Sequence, residues 1–388
     1  MGNGGCCTVV AVKRSRLGVV ERRVRATAPV RICDIGGWTD TRVSGHGEVV
    51  NFAIRPGVEV QAALRHDGAG QRRVIALDYG ESFSVEEGWK AVPMHHRLLA
   101  AAIEQATAAP GASIEVTVSC RVPPGSGTGT SAAVAVALLG ALDAITRGTT
   151  PRNLTEGGVP PRVGRALARR AHLLEVGRLG QESGVQDQLA SACGGVNHIT
   201  ITNYPKAVSK RLTLPKGLWW ELEQRFVVVF MGSLHGSSAL HEMVIASLAG
   251  EGPGSARLLS LRRAARAARL ALETGDLASF AQAMIASTEA QADLHPDLVS
   301  PLAWEIIALA RANGAVGWKV NGAGGEGGSL TLLAGPDASD KAELLRRLRQ
   351  FGYGVTAGGV QLSPDGLRVW EAGGINEGSG SDSRYPAP

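Results

Sequence analysis

The hydrophobic and polar positions of this chain follow two different spacings along its length. Alternation with a period of two, as in residues 20–37, predicts strands, because successive side chains of a strand point to opposite faces. Residues 48–54, 58–65 and 113–120 are further strand-like runs. Apolar residues spaced three or four positions apart, as in residues 94–109 and 162–180, predict amphipathic helices. The first half of the chain therefore contains both strands and helices.

Proline and glycine interrupt two of the strand patterns. Pro29 separates two predicted strands, the second of which ends at a glycine turn. The Pro56-Gly57 pair separates the strands at 48–54 and 58–65. Because proline followed by glycine marks tight turns, we expect these two strands to form a hairpin.

The second half of the chain changes in character from about Asn203. Two strand-like segments precede three or four Ala-rich helices between Ser238 and Asn313, and two further strands flank a second glycine cluster at residues 321–328. A helix over 341–350 and a last pair of strands follow. Strands and helices mixed in both halves predict an α+β protein with two lobes, and 388 residues suffice for both.

Composition restricts the classes of partner. Hydrophobic residues make up 44% of the chain but aromatic residues only 4%, and the net charge is +5. No apolar run reaches the ~18 residues that a membrane span needs, so we expect no membrane partner. The arginines are dispersed without interleaved aromatic residues, so we expect no nucleic-acid partner. Cys33, Cys120 and Cys193 lack metal-ligand spacing, which favours buried thiols and a cytoplasmic location.

A loop rich in glycine follows the predicted strand at 113–120. Two prolines end the strand, and Gly125, Gly127 and Gly129 alternate before Thr130 and an Ala/Val/Leu-rich helix. Glycines at this spacing let backbone N–H groups converge on an anion, and the start of the helix adds the positive end of its dipole. The loop lacks the lysine of a P-loop and the third glycine of a dinucleotide fingerprint. It indicates a phosphate site, with an ordinary turn before a hydrophobic helix as the alternative.

Two carboxylates downstream could complete a phosphoryl-transfer site. Glu175 lies near the end of the helix predicted over 162–180, and Asp187 follows in the GVQDQ segment. Phosphoryl transfer needs one carboxylate that holds Mg²⁺ and one that accepts a proton, and the hydroxyl of Ser131 could share the metal. From spacing alone, a solvated helix residue remains the alternative for Glu175, and a helix N-cap for Asp187.

Two adjacent histidines, His95 and His96, open the helix predicted over 94–109. No acidic residue stands at ligand spacing from them in the sequence. We therefore expect both to be surface residues.

Four segments resemble, in order, motifs of the GHMP kinases, a family that includes galactokinase, homoserine kinase, mevalonate kinase and phosphomevalonate kinase. APVRICDIGGWTDT (28–41) resembles the first motif in the form of the sugar-kinase branch, which includes fucokinase and D-glycero-D-manno-heptose 7-phosphate kinase. PPGSGTGTSAA (123–133) resembles the phosphate loop. SGVQDQLASACGG (183–195) resembles the segment with the catalytic Asp, and VNGAGGEGG (320–328) resembles the third motif.

This resemblance implies an α+β fold with two lobes. The N-terminal lobe, residues 22–201, would resemble domain 2 of ribosomal protein S5, and the C-terminal lobe, residues 202–372, would be ferredoxin-like. ATP and its acceptor would meet in the cleft between them. We expect residues 1–21 to form a leader and the polar residues 373–388 to form a disordered tail.

The resemblance also implies roles for single residues. Asp187 would take the proton of the acceptor hydroxyl, Arg31 would offset charge on the phosphoryl oxygens, and Ser131 and Glu175 would hold Mg²⁺. The nucleotide phosphates would be bound by Pro124, Gly125, Ser126, Gly127, Thr128, Gly129, Thr130, Ser131 and Ala132. The acceptor would be bound by Gly37, Trp38, Thr39, Asp40, Asp187 and Gly325. The carboxylate of Asp40 suits two vicinal hydroxyls, with an Asx turn as the alternative.

Four positions depart from the family's motifs. Thr130 replaces a serine but keeps the hydroxyl, so we expect it to be tolerated. Thr128 places a hydroxyl where the family packs a leucine, which departs from the packing of the loop that the resemblance implies. Glu326 interrupts the glycines of the third motif, and we expect it to face solvent with Lys319 as a possible partner. Contact of Glu326 with the substrate or the metal is the alternative. His235 stands where the heptose-phosphate kinases have arginine, which argues against a phosphorylated acceptor.

The sequence therefore predicts a cytoplasmic kinase that uses ATP and Mg²⁺ to phosphorylate a sugar, with the anomeric hydroxyl of a free monosaccharide as the favoured acceptor. A sugar phosphate of the heptose 7-phosphate type or a non-sugar alcohol is an alternative acceptor. A sensor that binds a sugar or nucleotide without turnover is the alternative from another class. Neither the sugar nor the oligomeric state follows from the sequence.

Overall fold

The computed structural model describes residues 20–147, 158–232 and 238–372. The predicted tail, His235 and all but the last two residues of the predicted leader lie outside these ranges.

Thirteen strands and ten α-helices make up the described part of the chain. The strands are β1 (Val20–Ile35), β2 (Gly47–His66), β3 (Arg72–Ala76), β4 (Glu81–Ser84), β5 (Ala112–Cys120), β6 (Val196–Asn203), β7 (Lys206–Arg211), β8 (Phe226–Phe230), β9 (Ala315–Val320), β10 (Ser329–Ala334), β11 (Thr356–Gly359), β12 (Gln361–Leu362) and β13 (Arg368–Glu371). The helices are α1 (Arg97–Glu104), α2 (Thr130–Arg147), α3 (Pro161–Leu173), α4 (Gln186–Cys193), α5 (Leu218–Arg225), α6 (Ser238–Glu251), α7 (Ala256–Thr274), α8 (Leu277–Leu294), α9 (Pro301–Ala312) and α10 (Ala338–Arg349).

The first sheet is organised around β2. Its main order is β13-β1-β2-β5-β3-β4, while β6 and β12 also pair with β2, and β7 pairs with β6. The pairing of β3 with β5 is parallel, and the other pairings are antiparallel. Because β7, β12 and β13 follow residue 201, this sheet takes strands from both sides of the expected boundary. The division into residues 22–201 and 202–372 stays a prediction.

The second sheet has the order β11-β8-β10-β9, and its pairings are antiparallel. Helices α6–α9 lie between β8 and β9 in the chain, and α10 lies between β10 and β11. This is the β-α-β-β-α-β succession of a ferredoxin-like lobe, extended by extra helices. The predicted α+β fold with two lobes is confirmed.

Three phenylalanines join the two sheets in one apolar core. Phe52 on β2, Phe226 on β8 and Phe280 on α8 are each fully buried, and their ring centroids lie 5.1, 5.7 and 6.2 Å apart in edge-to-face contacts. Such contacts add to the hydrophobic stabilisation of the buried rings. The packing of these rings therefore holds the lobes together. It also fixes the relative positions of the residues on the two sides of the cleft between them.

Helix α2 packs on β1 and β2 of the first sheet. By length and by its mean hydropathy of 1.4 it could cross a membrane, contrary to the expectation from the sequence. However, 67% of the helix is buried within the protein. Its apolar character is thus explained by its place in the core.

The expected hairpin at Pro56-Gly57 was wrong, because β2 runs through both residues as one strand. Residues on both sides of the pair face β1, with Ile54 opposite Val30 and Val58 opposite Ala28. The register shift between these pairs accommodates Pro29 and Pro56 as an irregularity of the ladder.

The prediction that His95 and His96 are both surface residues was wrong for His96. His96 is 1% exposed, and its Nε2 lies 2.7 Å from Oε2 of Glu81 on β4, while His95 is exposed with Nε2 3.5 Å from the same oxygen. The acidic partner, Glu81, lies 14 residues before His95 in the sequence, and the tertiary fold brings it to the histidines.

Gly57 offers a test of this strand geometry. A Cβ at this position would lie 2.1 Å from the carbonyl oxygen of Ala28 and 2.8 Å from Cα of Pro29, both backbone atoms that cannot move aside cheaply. We expect Gly57→Ala to lower the free energy of unfolding by about 1–3 kcal/mol, measured by urea denaturation. Gly358→Ala on β11, where a Cβ meets nothing within 4 Å, is the control. Equal stabilities of the two variants would contradict the strand geometry.

Candidate functional site

The glycine-rich loop joins β5 to the start of α2. Gly125, Gly127 and Gly129 have φ values of 71°, 70° and 71°, a region that residues with a Cβ rarely adopt. The loop and the first residues of α2, Gly125 to Ala132, line one cavity. Backbone N–H groups of such a loop and the positive end of the helix dipole are what an anion site requires.

Three hydroxyl groups connect the interior of the loop. Oγ of Ser126 lies 2.7 Å from Oγ1 of Thr128, which lies 3.2 Å from Oγ1 of Thr130. Thr128 is fully buried, and its backbone carbonyl accepts a hydrogen bond of 2.9 Å from the N–H of Arg31. The hydroxyl of Thr128 is thus accommodated inside the loop, because the neighbouring hydroxyls satisfy its polar group.

The second glycine turn lies directly against the loop. A Cβ on Gly127 would lie 2.7 Å from the carbonyl oxygen of Asn321, and a Cβ on Gly322 would lie 2.7 Å from the carbonyl oxygen of Gly127. Oγ of Ser329 donates to the carbonyl oxygen of Ser126 at 2.6 Å. The two glycine clusters, about 200 residues apart in sequence, therefore form one surface, which only glycine at both contact points permits.

Asp187 and Arg31 form a two-pronged ion pair beside the loop. Nε and Nη2 of Arg31 donate to Oδ1 and Oδ2 of Asp187 at 2.8 and 3.1 Å, and Nη1 donates to the carbonyl oxygen of Gly127. Burial alone lowers the pKa of Arg31, but the charges of Asp187 and Asp34 outweigh it, so that the pKa is raised. The guanidinium therefore remains a fixed positive charge at this point.

Glu175 lies in a π-helical turn (Leu174–Arg178) that continues α3. It is 3% exposed, and its two carboxylate oxygens accept hydrogen bonds from Oγ of Ser131 and Nε2 of Gln188. Burial raises the pKa of Glu175, and these hydrogen bonds oppose the rise. The alternative of a solvated helix residue is excluded, and Glu175 and Ser131 are brought into contact as expected.

Asp40 is buried below the segment that carries Asp187. The N–H of Gln186 donates to its Oδ2 at 3.1 Å, and a Cβ on Gly184 would lie 2.0 Å from the same oxygen. Burial raises the pKa of Asp40 to about 6, the charge of Asp187 adds to the rise, and the hydrogen bond from Gln186 opposes it. Asp40 is thus a carboxyl group whose charge changes near neutral pH.

Asp34, which sequence reasoning did not select, connects several parts of the site. Its Oδ1 accepts from the N–H of Gly322 at 2.9 Å, and its Oδ2 accepts from Nε2 of Gln186 at 3.4 Å. Nη1 of Arg31 and Nζ of Lys319 each lie 3.9 Å from Oδ1. The available signal was a carboxylate inside the apolar RICDIGG segment, since a buried acid needs partners.

The predicted partnership of Lys319 with Glu326 was wrong. Lys319 is 1% exposed, and its Nζ donates to Oε1 of Gln291 at 2.8 Å. The same Nζ lies 3.9 Å from Oδ1 of Asp34. Burial lowers the pKa of Lys319, and the charge of Asp34 opposes this. Glu326 itself is exposed, as expected.

Two cavities meet at the ion pair. The phosphate cavity, of about 270 Å³, is lined by the loop from Gly125 to Ala132, by Glu175 and Gln188, and by the second glycine turn. The acceptor cavity, of about 170 Å³, is lined by residues of the first motif and by Glu182, Gly184, Gln186 and His241. The residues that line both cavities are Arg31, Ser183, Asp187, Gly322 and Ala323.

Four of the expected binding residues line neither cavity: Pro124, Gly37, Thr39 and Gly325. The hydroxyl of Thr39 lies 2.7 Å from the carbonyl oxygen of Gly36 and is fully buried. A Cβ on Gly37 would lie 2.6 Å from Oδ2 of Asp34, so this glycine makes room for that carboxylate. Trp38 and Asp40 do line the acceptor cavity.

The residues of the cavities that were not anticipated include Gln188, Glu182 and His241. Gln188 follows Asp187 directly, and its adjacency was the available signal. The His241 ring packs edge-on against Trp38 at 4.7 Å, a contact between α6 and the first motif that no local pattern predicts.

Two family models match the chain. The N-terminal domain of the GHMP kinases matches residues 95–195, and the C-terminal domain of the GHMP kinases matches residues 268–354. The two matches come from the two lobes described above.

Two curated relatives are similar in sequence. The bifunctional fucokinase/GDP-fucose pyrophosphorylase of Arabidopsis thaliana is 26% identical over 355 residues, which are 85% of this chain and 31% of that protein. The L-fucokinase/L-fucose-1-P guanylyltransferase of Bacteroides fragilis is 31% identical over 150 residues, which are 32% of this chain and 16% of that protein. The chain thus spans less than a third of the length of either relative.

Solved structures share the fold. A D-glycero-D-manno-heptose 1-phosphate kinase from Bacteriodes thetaiotaomicron has a TM-score of 0.64 at 22% identity, covering 89% of this chain and 98% of that one. A Lactococcus lactis galactokinase complexed with galactose has a TM-score of 0.65 at 18% identity, covering 90% of this chain and 95% of that one. On this fold and in this order, the chain carries both the N-terminal and the C-terminal domain of the GHMP kinase family.

Proposed function

We propose that this protein is an ATP-dependent sugar kinase that phosphorylates a free monosaccharide, with the anomeric hydroxyl as the favoured position. The observation that carries the proposal is the Arg31–Asp187 ion pair at the boundary of the two cavities. A proton acceptor and a fixed cation at that boundary are what transfer between two bound substrates needs.

The phosphate cavity supports the binding of the ATP phosphates. Loop N–H groups and the start of α2 supply positive dipoles, and Arg31 supplies a full charge. Glu175 and Ser131 offer a carboxylate and a hydroxyl in contact, hard oxygen donors that fit Mg²⁺ alongside phosphate oxygens and water. Mg²⁺ held there would neutralise charge on the triphosphate.

Asp187 would act as the base of the reaction. Its carboxylate takes the proton of the acceptor hydroxyl as the acceptor oxygen bonds to the γ-phosphorus, and the bond from this phosphorus to the bridging oxygen of ADP breaks. Arg31 holds both carboxylate oxygens, so the base is oriented before substrates arrive. The same guanidinium offsets charge on the transferring group.

The charge of the acceptor cavity supports a neutral sugar over a sugar phosphate. Among the described residues that line it, Asp34, Asp40, Glu182 and Asp187 carry carboxyl groups and Arg31 carries a guanidinium, while Arg42 pairs with Glu182. Carboxylates accept hydrogen bonds from sugar hydroxyls but repel a phosphate. The similarity to two fucokinases makes L-fucose the first sugar to test.

The sugar is identified by a panel of acceptors with ATP and Mg²⁺. L-fucose, D-galactose, a heptose 7-phosphate and mevalonate are compared by ADP release, and the position of the new phosphate is read by NMR. We expect turnover with a free sugar and a product phosphorylated at the anomeric position. Turnover confined to the heptose phosphate or to mevalonate would contradict the proposal. If none of the acceptors on a broad panel led to ADP release, a sensor would be favoured. The cytoplasmic location stays a prediction.

The base is tested by Asp187→Asn. We expect this variant to lose at least about 10²-fold in kcat while still binding ATP, because the amide cannot accept the proton. The control is Asp143→Asn, since Asp143 also pairs with an arginine and its side chain is 25% exposed, against 26% for Asp187. Retained turnover in Asp187→Asn would exclude the residue as the base.

The metal ligands are tested by Ser131→Ala beside Ser131→Thr. We expect the alanine variant to need about tenfold more Mg²⁺ for half-maximal rate, because one oxygen ligand is lost, and the threonine variant to stay near wild type. The rate is measured across a Mg²⁺ titration at saturating ATP. An unchanged Mg²⁺ requirement in Ser131→Ala would show that this hydroxyl is not a ligand.

The raised pKa of Asp40 gives a pH-dependent test. Between the ordinary value of 3.8 and about 6 the folded protein keeps a proton that the unfolded chain has released, so the fold loses stability as the pH rises through this window. We expect Asp40→Asn to raise the free energy of unfolding by about 1–3 kcal/mol at about pH 7.5, little at about pH 4, and to weaken sugar binding. Urea denaturation at both pH values and KM for the sugar are measured, with Asp143→Asn as the control. A stability difference independent of pH would contradict the assignment.

A further inference from the structure

Outside both cavities, three side chains with metal-binding atoms lie together. Glu81 begins β4, and His95 and His96 precede α1. One ligand atom from each lies within 4.8 Å of the other two. Both histidines direct Nε2 at the same oxygen of Glu81, His96 at 2.7 Å and His95 at 3.5 Å.

These separations are close to those of a zinc site. Zn²⁺ binds histidine nitrogen and carboxylate oxygen at about 2.0–2.2 Å, so a tetrahedral arrangement places neighbouring ligand atoms about 3.3 Å apart. The separation between His95 and Glu81 already agrees with this value. The shorter one, between His96 and Glu81, is a hydrogen-bond distance, which an ion replacing the shared proton would lengthen by about 0.6 Å.

Packing fixes one ligand and leaves the other two accessible. The ring of Phe83 stacks on His96 with centroids 4.7 Å apart, and Tyr79 contacts the same ring edge-on at 5.2 Å. The side chains of Glu81 and His95 are 50% and 46% exposed, so an ion can reach them from solvent.

We propose that Glu81, His95 and His96 bind a divalent transition-metal ion, Zn²⁺ in the first place, with water completing the coordination. Two imidazoles and one carboxylate suit zinc, whereas Mg²⁺ and Ca²⁺ take oxygen ligands. The ion would fasten β4, the end strand of the first sheet, to the start of α1. This site is separate from the Ser131–Glu175 pair and does not depend on the kinase reaction.

The test is zinc titration of the full chain after treatment with a chelator, by calorimetry without nucleotide. We expect the wild type to bind a zinc ion. The dissociation constant for zinc should rise at least tenfold in Glu81→Gln and in His95→Ala. Both substitutions change exposed side chains and should leave the core intact, which circular dichroism checks. His46→Ala, at an exposed histidine elsewhere, is the control and should bind zinc as the wild type does.

Thermal unfolding supplies an independent readout. Zinc should raise the Tm of the wild type and of His46→Ala, and the rise should be lost in the two ligand variants, because an ion that binds only the folded chain stabilises it. Absence of zinc binding by the wild type would overturn the proposal. Binding that is the same in wild type, Glu81→Gln and His95→Ala would also overturn it and leave the three residues as a hydrogen-bonded cluster.

Discussion

The structure of the cleft depends on one buried carboxylate, that of Asp34. It accepts the N–H of Gly322 from the second glycine turn and the side chain of Gln186 from α4, and it lies 3.9 Å from both Arg31 and Lys319. A buried acid that lost these partners would destabilise the fold by several kcal/mol, on the order of 3–5 for a broken buried pair. The contacts of Asp34 therefore fix where the two lobes meet.

From that contact follows the position of Arg31 and Asp187. Arg31 is three residues before Asp34 on β1, and Asp187 is next to Gln186 on α4, so the bonds to Asp34 bring both into reach of each other. Their ion pair lies where the phosphate cavity ends and the acceptor cavity begins. In the proposed reaction, charges held in this way before substrates bind would need no reorganisation during transfer.

The site buries several carboxylates close together, and the rest of the protein must offset the free-energy cost of this burial. Burial raises the pKa of both Asp40 and Glu175, so each carboxylate is less stable here than in water. Substrate hydroxyls at Asp40 and a cation at Glu175 would relieve this energy on binding. The apolar core of Phe52, Phe226 and Phe280 supplies compensating stability close to the junction of the lobes.

The sequence by itself determined the fold class, most strands and helices, and the residues of the loop, because periodicity and glycine spacing are local properties. It also paired Ser131 with Glu175, and Arg31 with Asp187, through the resemblance to a family. Only the tertiary structure decided what depends on contacts between distant segments. It made Pro56-Gly57 an irregularity within β2, gave Thr128 its hydroxyl partners, and directed Lys319 to Asp34 and not to Glu326. It also brought Glu81 to His95 and His96. A partner's distance in space does not follow from its distance along the chain, since folding closes loops of any length between them.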